Sequence, residues 1–310
     1  MHRLDDLLPR GVTSRDELAR ATSSSSVGRW LARGDLVLLA PGVVAVPQRA
    51  TEWQVQASAA ACYADGPLSH ISALTAVGLA PETPGPLHVT VSQERRPRDA
   101  EDVVVHRSRQ RLVTVRSREL EVIEPARSLV EAWAWAASPA RNPCSAAERP
   151  VVRQALIDAV RTRGVRLAGV RRESARRTRH PGRAELSTLL DLVGGGCQSE
   201  LEIWGVLHVL PGPPEVPPFV QQHRVALANS RRIAVDAAWP GARVAVELDG
   251  AAFHGSRQAR ERDLRRDTAL AGAGWIVLRF SYARLVADPV GCRAEIVAAL
   301  RHRLATGGPR

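Results

Sequence analysis

Three carboxylates in the C-terminal third of the chain have the spacing expected of a metal site on a β-sheet. Two apolar runs on either side of a Pro-Gly turn each predict a strand, with Asp236 in the first and Glu247 and Asp249 in the second. Alternate residues of a strand share a face, so Glu247 and Asp249 project together, while Val244, Val246 and Leu248 face the other way. The turn brings Asp236 alongside them.

Such a group of acids suits hydrolysis of a phosphodiester. Clustered carboxylates raise one another's pKa unless a cation joins them, and hard oxygen ligands suit Mg²⁺ or Mn²⁺. A bound divalent ion orients water and stabilises the charge of a phosphodiester transition state. The alternative is that the three acids are solvated side chains at strand ends, but their clustering beside an apolar strand, with His254 nearby, favours the metal site.

Four spaced motifs between about 199 and 300 resemble an uncharacterised PD-(D/E)xK nuclease-like family related to the very-short-patch-repair (Vsr) endonuclease. The motifs are Asp236, the step Glu247-x-Asp249-Gly250 with His254, the segment Asp263-x-x-Arg266-Asp267-x-x-Leu270, and Gly274-Trp275-x-Val277-Leu278-Arg279-Phe280. The resemblance implies an α/β fold with a restriction-endonuclease-like core, which is a mixed sheet flanked by helices. It also implies a Mg²⁺ (or Mn²⁺) cofactor and a DNA substrate.

The resemblance also implies roles for individual residues. Asp236 and Glu247 correspond to the first and second metal-binding acids, and Glu202 corresponds to an acid contributed by the first core helix. His254 falls where the repair endonuclease has an active-site histidine. We therefore expect Asp236, Glu247, Asp249, His254 and Glu202 to be catalytic.

The chain departs from the motif at its lysine. The lysine position, two residues after Glu247, holds Asp249, and the sequence contains no lysine at all. We expect Asp249 to add a metal ligand. His254 or an arginine is then expected to take the other role of the lysine, since the pKa of imidazole lies near neutrality. This substitution places turnover in doubt more than it does the fold.

The charge of the chain predicts a polyanionic partner. Arginine and lysine together number 43 and aspartate and glutamate together number 32, which gives a formal net charge of +11. Ten arginines lie between residues 151 and 184. Such a cluster attracts phosphates, because neutralising them releases counterions. The expected nucleic-acid contacts are Arg171, Arg172, Arg176, Arg177, Arg266 and Arg279. The alternatives are a solvated connector for the first four, a solvated helix face for Arg266 and a structural ion pair for Arg279.

The N-terminal part has the pattern of a winged helix-turn-helix. Ser14 and Glu17 resemble a capping box at the start of a helix, and a second helix is predicted to end near Gly34. A hairpin with the turn Pro41-Gly42 follows and predicts the wing. This order resembles the N-terminal domain of AbiEi-type antitoxins. The alternating part that follows shows no catalytic constellation, and His70 and His106 are interpreted as structural or surface residues.

Several protein classes are disfavoured by the sequence. The four cysteines form no C-x-x-C pair, which argues against a zinc ribbon or a disulfide framework and for a reducing cytoplasm. No stretch approaches the ~18 apolar residues of a membrane span. Acids follow the initial Met-His-Arg where a signal peptide has a basic head. We expect a cytoplasmic, nucleoid-associated protein with no membrane partner.

The predicted organisation has four parts. They are a winged helix-turn-helix (1–50), an antitoxin-like α/β middle domain (51–150), an Arg-rich helical connector (151–198) and a Vsr-like endonuclease domain (199–310). The expected function is metal-dependent DNA cleavage. The alternative is a DNA-binding regulator or antitoxin-like protein whose nuclease fold is silent, and RNA as the substrate stays open. The sequence leaves a monomer or a dimer equally open.

Overall fold

The computed structural model describes residues 4–97, 100–162, 164–214, 216–227, 231–249 and 257–306, without the side chains of Asp5, Asp249 and residues 257–260. The chain divides into two compact units, Met1–Ser187 and Thr188–Arg310. None of the helices in the described part combines the length and apolar composition needed to cross a bilayer.

The first unit begins with short helices and a three-stranded sheet of order β1-β3-β2. Its elements are α1 (Leu4–Leu7), β1 (Val12–Ser14), α2 (Arg15–Ala21), α3 (Ser24–Arg33), β2 (Val37–Ala40) and β3 (Val43–Ala45). Ser14 is confirmed as the N-cap of α2, where its hydroxyl accepts from the amide of Glu17, and Ser23 caps α3 in the same way. Gly34 ends α3 in the left-handed conformation (φ +78°) that glycine adopts without strain.

Helices and two strand pairs make up the rest of the first unit. The elements are α4 (Trp53–Ala64), α5 (His70–Ala76), β4 (Leu87–Ser92), β5 (Val103–Ser108), β6 (Thr114–Ser117), β7 (Leu120–Ile123) and α6 (Pro125–Ala136). The strands β4 and β5 are parallel, whereas β6 and β7 are antiparallel. Side chains from α4, α5, β4 and β7 form an apolar core around Leu68 and Val89, both fully buried.

The Arg-rich segment is helical. It contains α7 (Ser145–Arg161), α8 (Leu167–Arg176) and α9 (Arg183–Gly195). Both α7 and α8 contact α6. Apolar residues of α7 and α8, such as Leu156, Ile157 and Val170, are fully buried, so these two helices pack within the first unit.

The second unit has a four-stranded mixed sheet of order β11-β10-β9-β8 flanked by helices. After α9 its elements are α10 (Glu200–His208), β8 (Val220–Ala226), β9 (Arg232–Trp239), β10 (Val244–Asp249), α11 (Arg257–Gly272), β11 (Ile276–Ser281), α12 (Tyr282–Ala287) and α13 (Pro289–Ala305). The strands β10 and β11 are parallel, because α11 connects them, and the other neighbours in this sheet are antiparallel.

The central strand β10 is buried on both faces. Val244, Val246 and Leu248 pack in one apolar cluster with side chains of α10, α12 and α13. Ala245 packs in a second cluster with Leu270 of α11. The predicted alternation is therefore confirmed, and Glu247 must project from the face that carries Ala245.

Candidate active site

Strand register brings four polar residues to one level of the second sheet. The β8–β9 register pairs Gln221 with Ala237 and His223 with Val235, which sets Gln222 opposite Asp236. Glu247 comes one residue after the last β9–β10 pair and so follows next to Asp236. On the far side Glu247 pairs directly with Arg279 of β11. The row across the sheet is thus Gln222, Asp236, Glu247 and Arg279, and we call it the polar row.

Asp236 lies where β9 and β10 cease to pair. Its Oδ2 accepts a hydrogen bond of 2.8 Å from the amide of Leu248, so the carboxylate replaces a ladder bond. Its Oδ1 accepts from Nε2 of Gln222 at 3.4 Å. The side chain is therefore held between the two strands, next to Glu247.

Glu202 joins the polar row through Gln222. Nε2 of Gln222 also donates to Oε2 of Glu202 at 3.1 Å. The same carboxylate accepts from the amide of Gln198 and the hydroxyl of Ser199, the N-cap of α10. The structure therefore links Glu202 to Asp236 through Gln222, which donates to both carboxylates.

Glu247 is buried and is engaged by two arginines. Its Oε1 lies 2.5 Å from Nη2 of Arg266, and its Oε2 lies 2.8 Å from Nη2 of Arg279. Arg266 also donates to the carbonyl of Ala234, and Arg279 also pairs with Asp267 at 2.7 Å. Arg266 and Arg279, which were predicted to contact DNA, therefore both contact Glu247, which was predicted to bind metal.

Burial and mutual repulsion perturb two acids of the site. Burial raises the pKa of Glu247, the two arginines oppose that rise, and the charges of Asp236 and Asp267 add to it. Burial also raises the pKa of Glu202, with a further contribution from Asp236. The charge of Asp236, which raises the pKa of both glutamates, would favour a cation bound among these carboxylates.

The residues present fit a divalent cation. Asp236, Glu247 and Glu202 supply hard oxygen atoms, and Mg²⁺ takes one or two carboxylates together with substrate phosphate. Two other predicted groups cannot be placed in this site. His254 lies outside the described residues, and of Asp249 the structure describes only the backbone at the end of β10.

Two groups can be distinguished among the four arginines of the first unit that were predicted to contact DNA. Arg177 lies in an ion-pair network, 2.6 Å from Glu131 and 3.3 Å from Glu173, and Arg176 pairs with Glu173 at 2.5 Å. Glu173 is itself buried. Arg171 and Arg172, on the same helix, are exposed. The network ties α6 to α8, so Arg177 has a structural task that the sequence did not reveal.

Gln222 is the site residue that sequence reasoning missed. The pair Gln221-Gln222 marked only the end of a Pro-rich loop, and no strand was predicted there. No alternation marked a strand there, because four consecutive polar residues lie between Val220 and Val225. The positive φ of Gln222 (+47°) left no trace in the sequence, since glutamine is not a residue typical of that region.

One of the comparisons with known proteins concerns the second unit. No protein of curated function matches the sequence. The solved structure of the RV2827C protein from Mycobacterium tuberculosis is similar at 21% identity, over 62% of this chain and 76% of that chain, with a TM-score of 0.43. Residues 221–300, which carry β8 to β11 and the polar row, match the model of the restriction-endonuclease-like family REase_MTES_1575, and this match supports an endonuclease-like C-terminal part.

Proposed function

We propose that this chain is a metal-dependent endonuclease that hydrolyses DNA phosphodiester bonds. The observation that carries the proposal is the neighbourhood of Asp236 and Glu247 in the part that matches a restriction-endonuclease-like family. The test is cleavage of supercoiled, mismatched and single-stranded DNA, and of RNA, with Mg²⁺ or Mn²⁺ and with EDTA as the negative control. Cleavage that persists in EDTA would contradict metal dependence.

Each residue of the site has a proposed role. Asp236 and Glu247 hold the metal, which when bound supplies an activated water and charge stabilisation. Gln222 positions Asp236 and Glu202 by donating to both. Arg266 and Arg279 balance the charge of the acids before DNA binds, and we propose that they contact a phosphate oxygen once it enters. Asp249 as an added ligand and His254 as the proton-transfer group remain part of the proposal.

The N-terminal part is proposed to add affinity for DNA as a winged helix. Its second helix, α3, exposes Ser25, Arg29 and Arg33, and the β2–β3 hairpin follows it directly. Hydroxyl and guanidinium groups on one exposed helix suit contacts with phosphates and base edges of the major groove. This proposal keeps the boundaries 1–50 for the winged helix and 51–150 for the middle domain.

A second function, a DNA-binding regulator with a silent nuclease fold, is favoured by one observation. Both oxygens of Glu247 are engaged by arginines, and an aspartate occupies the lysine position. Under this alternative the guanidinium groups replace the metal permanently. DNA binding without cleavage under every metal condition would select it.

Shortening Gln222 is expected to slow cleavage. Gln222→Asn tolerates the left-handed backbone but cannot reach Glu202 and Asp236 together, so about one hydrogen bond disappears and the rate falls on the order of 10-fold. The matched control is Gln221→Asn, because Nε2 of Gln221 donates to Sγ of Cys197 instead of a carboxylate. Equal rates for the two variants would remove Gln222 from the site.

The exposed arginines of α8 are expected to set the salt dependence of DNA binding. The double variant Arg171→Ala/Arg172→Ala should lower the slope of log K against log salt by about 0.9 for each phosphate that the protein no longer neutralises, on every DNA sequence. Arg116→Ala, an exposed arginine of β6, is the matched control. An unchanged slope would leave α8 without a role in binding DNA.

A further inference from the structure

A buried strand of the first unit carries apolar side chains on one face and polar side chains on the other. Leu87, Val89 and Val91 of β4 pack in the apolar core. His88 and Thr90 alternate with them and are almost fully buried. Burying polar groups costs free energy unless they find partners, so the polar face of β4 requires an explanation.

Three histidines meet on this polar face. Parallel pairing places His106 of β5 beside Thr90, on the face that also carries His88. His70, the first residue of α5, stacks on His106 with ring centroids 3.6 Å apart. One potential ligand nitrogen from each ring lies within 4.8 Å of those of the other two. Trp135 of α6 packs edge-on against His106 and closes the cluster.

The hydrogen bonds of the described residues leave this cluster incompletely satisfied. Nδ1 of His88 and Nε2 of His106 are hydrogen-bonded at 2.9 Å. Nε2 of His88 and Oγ1 of Thr90 are buried without a hydrogen-bond partner in the described part of the chain. Nε2 of His88 faces Oε1 of Glu148 of α7 across 4.0 Å, which is too long for a hydrogen bond.

We propose that His70, His88, His106 and Glu148 form a Zn²⁺ site that stabilises the first unit. Three imidazoles and a carboxylate are a ligand set that zinc accepts in tetrahedral geometry. Because the chain itself would supply all four ligands, this is a structural site with no position left for substrate. It ties α5, β4, β5 and α7 together, and it is independent of the nuclease proposal.

The three imidazoles require only small movements on binding. Tetrahedral zinc with Zn–N and Zn–O bonds of about 2.0–2.2 Å places its ligand atoms about 3.4 Å apart. The histidine nitrogens, which lie within 4.8 Å of one another, therefore close by on the order of 1 Å, with release of the His88–His106 hydrogen bond. Glu148, whose Oε1 lies 4.0 Å from Nε2 of His88, must turn further to reach the same ion. A small cleft lined by Ser72 and Thr75 also reaches Glu148 from the surface.

The supporting contacts are those of metal-binding side chains. Nδ1 of His70 is hydrogen-bonded to Oγ of Ser69 at 2.9 Å, and Nδ2 of Asn142 donates to Oε2 of Glu148, which leaves Oε1 turned to His88. Such outer contacts orient ligands and fix tautomers. Burial lowers the pKa of His88 to about 3 and that of His106 to about 4, so both are neutral and able to ligate near pH 7.

Zinc titration of the full chain tests the site. Because the nuclease acids could also bind zinc, the titration uses the Asp236→Asn/Glu247→Gln background after treatment with EDTA and desalting. We expect one Zn²⁺ per chain by calorimetry and by metal analysis. Bound Co²⁺ should show the visible absorption of a four-coordinate site, and Zn²⁺ should raise Tm with increasing concentration.

Variants in the same background identify the ligands. His88→Gln and His106→Gln should each weaken zinc binding by at least about 10–100-fold, the effect of removing even an outer hydrogen-bond partner of a ligand. The matched control is His302→Gln, an exposed histidine of α13, which should bind zinc unchanged. Circular dichroism establishes that each variant is folded.

X-ray absorption of the zinc-loaded background protein covers the case in which the histidine variants do not fold. It should show three imidazole neighbours and one oxygen neighbour around zinc. The proposal is overturned by the absence of stoichiometric zinc binding, by fewer than three imidazoles, or by folded His88→Gln protein that binds zinc as tightly as its background.

Discussion

Asp236→Asn is expected to lower DNA cleavage on the order of 10²–10³-fold or more, the cost of removing one preorganised electrostatic group from an active site. The amide keeps the shape of the side chain and an oxygen that can still accept from the amide of Leu248. It lacks the charge needed beside Glu247 to hold a divalent cation. DNA binding is proposed to depend mainly on arginines, so it should be unchanged in the variant.

Substitution of Glu247 is a less specific test of the active site, because it also affects the stability of the fold. Its removal leaves Arg266 and Arg279, 38% and 30% exposed, without their shared acid. Breaking a fully buried pair costs about 3–5 kcal/mol, and the partial exposure of these arginines reduces that cost. Lost cleavage in Glu247→Ala could thus report a weakened fold, whereas Asp236→Asn separates chemistry from stability.

The measurement is the initial rate of plasmid cleavage at saturating Mn²⁺, with DNA affinity measured in EDTA. Glu261→Gln of α11 is the matched control, because Glu261 is exposed and its ion pair with Arg265 lies on the surface. If Asp236→Asn cuts as fast as Glu261→Gln, the cleavage comes from elsewhere and the assigned site is wrong.

The secondary structure around the candidate site could largely be predicted from the sequence. The strands β9, β10 and β11 and the helix α11 occur where apolar alternation and glycine stops predicted them. Strand β8 was not predicted, because an edge strand needs little apolar side chain and Gln222 adopts a positive φ. Missing β8 also meant missing the residue that links Glu202 to Asp236.

The partners of Glu247 could not be predicted from local patterns. Asp236 was expected beside it from the turn, whereas Arg266 lies on the crossover helix α11 and Arg279 on the strand that follows it. The register between the parallel strands β10 and β11 depends on how the connecting helix α11 packs, and short sequence patterns do not reveal it. The sequence alone offered an ion pair and a phosphate contact as alternatives for Arg279, and the structure shows the ion pair with Glu247 and Asp267.

The histidine cluster was missed for the same reason. His88 and His106 lie 18 residues apart, which matches no metal-ligand spacing, and His70 and His106 were interpreted as structural or surface residues. His70 is in fact buried at only 7% exposure. Only the parallel pairing of β4 with β5 places His106 on the face of His88, and no turn motif announces that pairing.

Without metal, the first unit is expected to lose stability steeply as pH falls below about 6.5, the ordinary pKa of histidine. Burial lowers the pKa of His88 to about 3 and that of His106 to about 4. Burial, the two neighbouring histidines, Arg177 and Arg127 hold the pKa of His70 well below its usual range. The nearby acid, Glu148, has a pKa raised by burial, so its proton uptake in the fold offsets part of this loss as pH falls.

The sign of the effect follows from proton counting. Between pH 6.5 and the lowered values the unfolded chain binds more protons than the folded chain, so the free energy of unfolding decreases as pH falls. Each imidazole contributes up to about 1.4 kcal/mol per pH unit, and the contribution is fully present only above about pH 6.5. Loss of several kcal/mol is a large share of the stability of a domain.

Urea unfolding in EDTA at successive pH values measures this dependence, and amide exchange of β4 and β5 assigns it to the first unit. His88→Gln should reduce the slope of the free energy of unfolding against pH by about the contribution of one imidazole, whereas His302→Gln should not change that slope. Excess Zn²⁺ should hold the three imidazoles unprotonated and shift the onset of unfolding to lower pH, because protons and metal compete for the same nitrogens. Equal pH profiles for His88→Gln and the unaltered chain would show that the buried imidazoles do not control acid stability, since a group that stays neutral in the fold must bind its proton on unfolding.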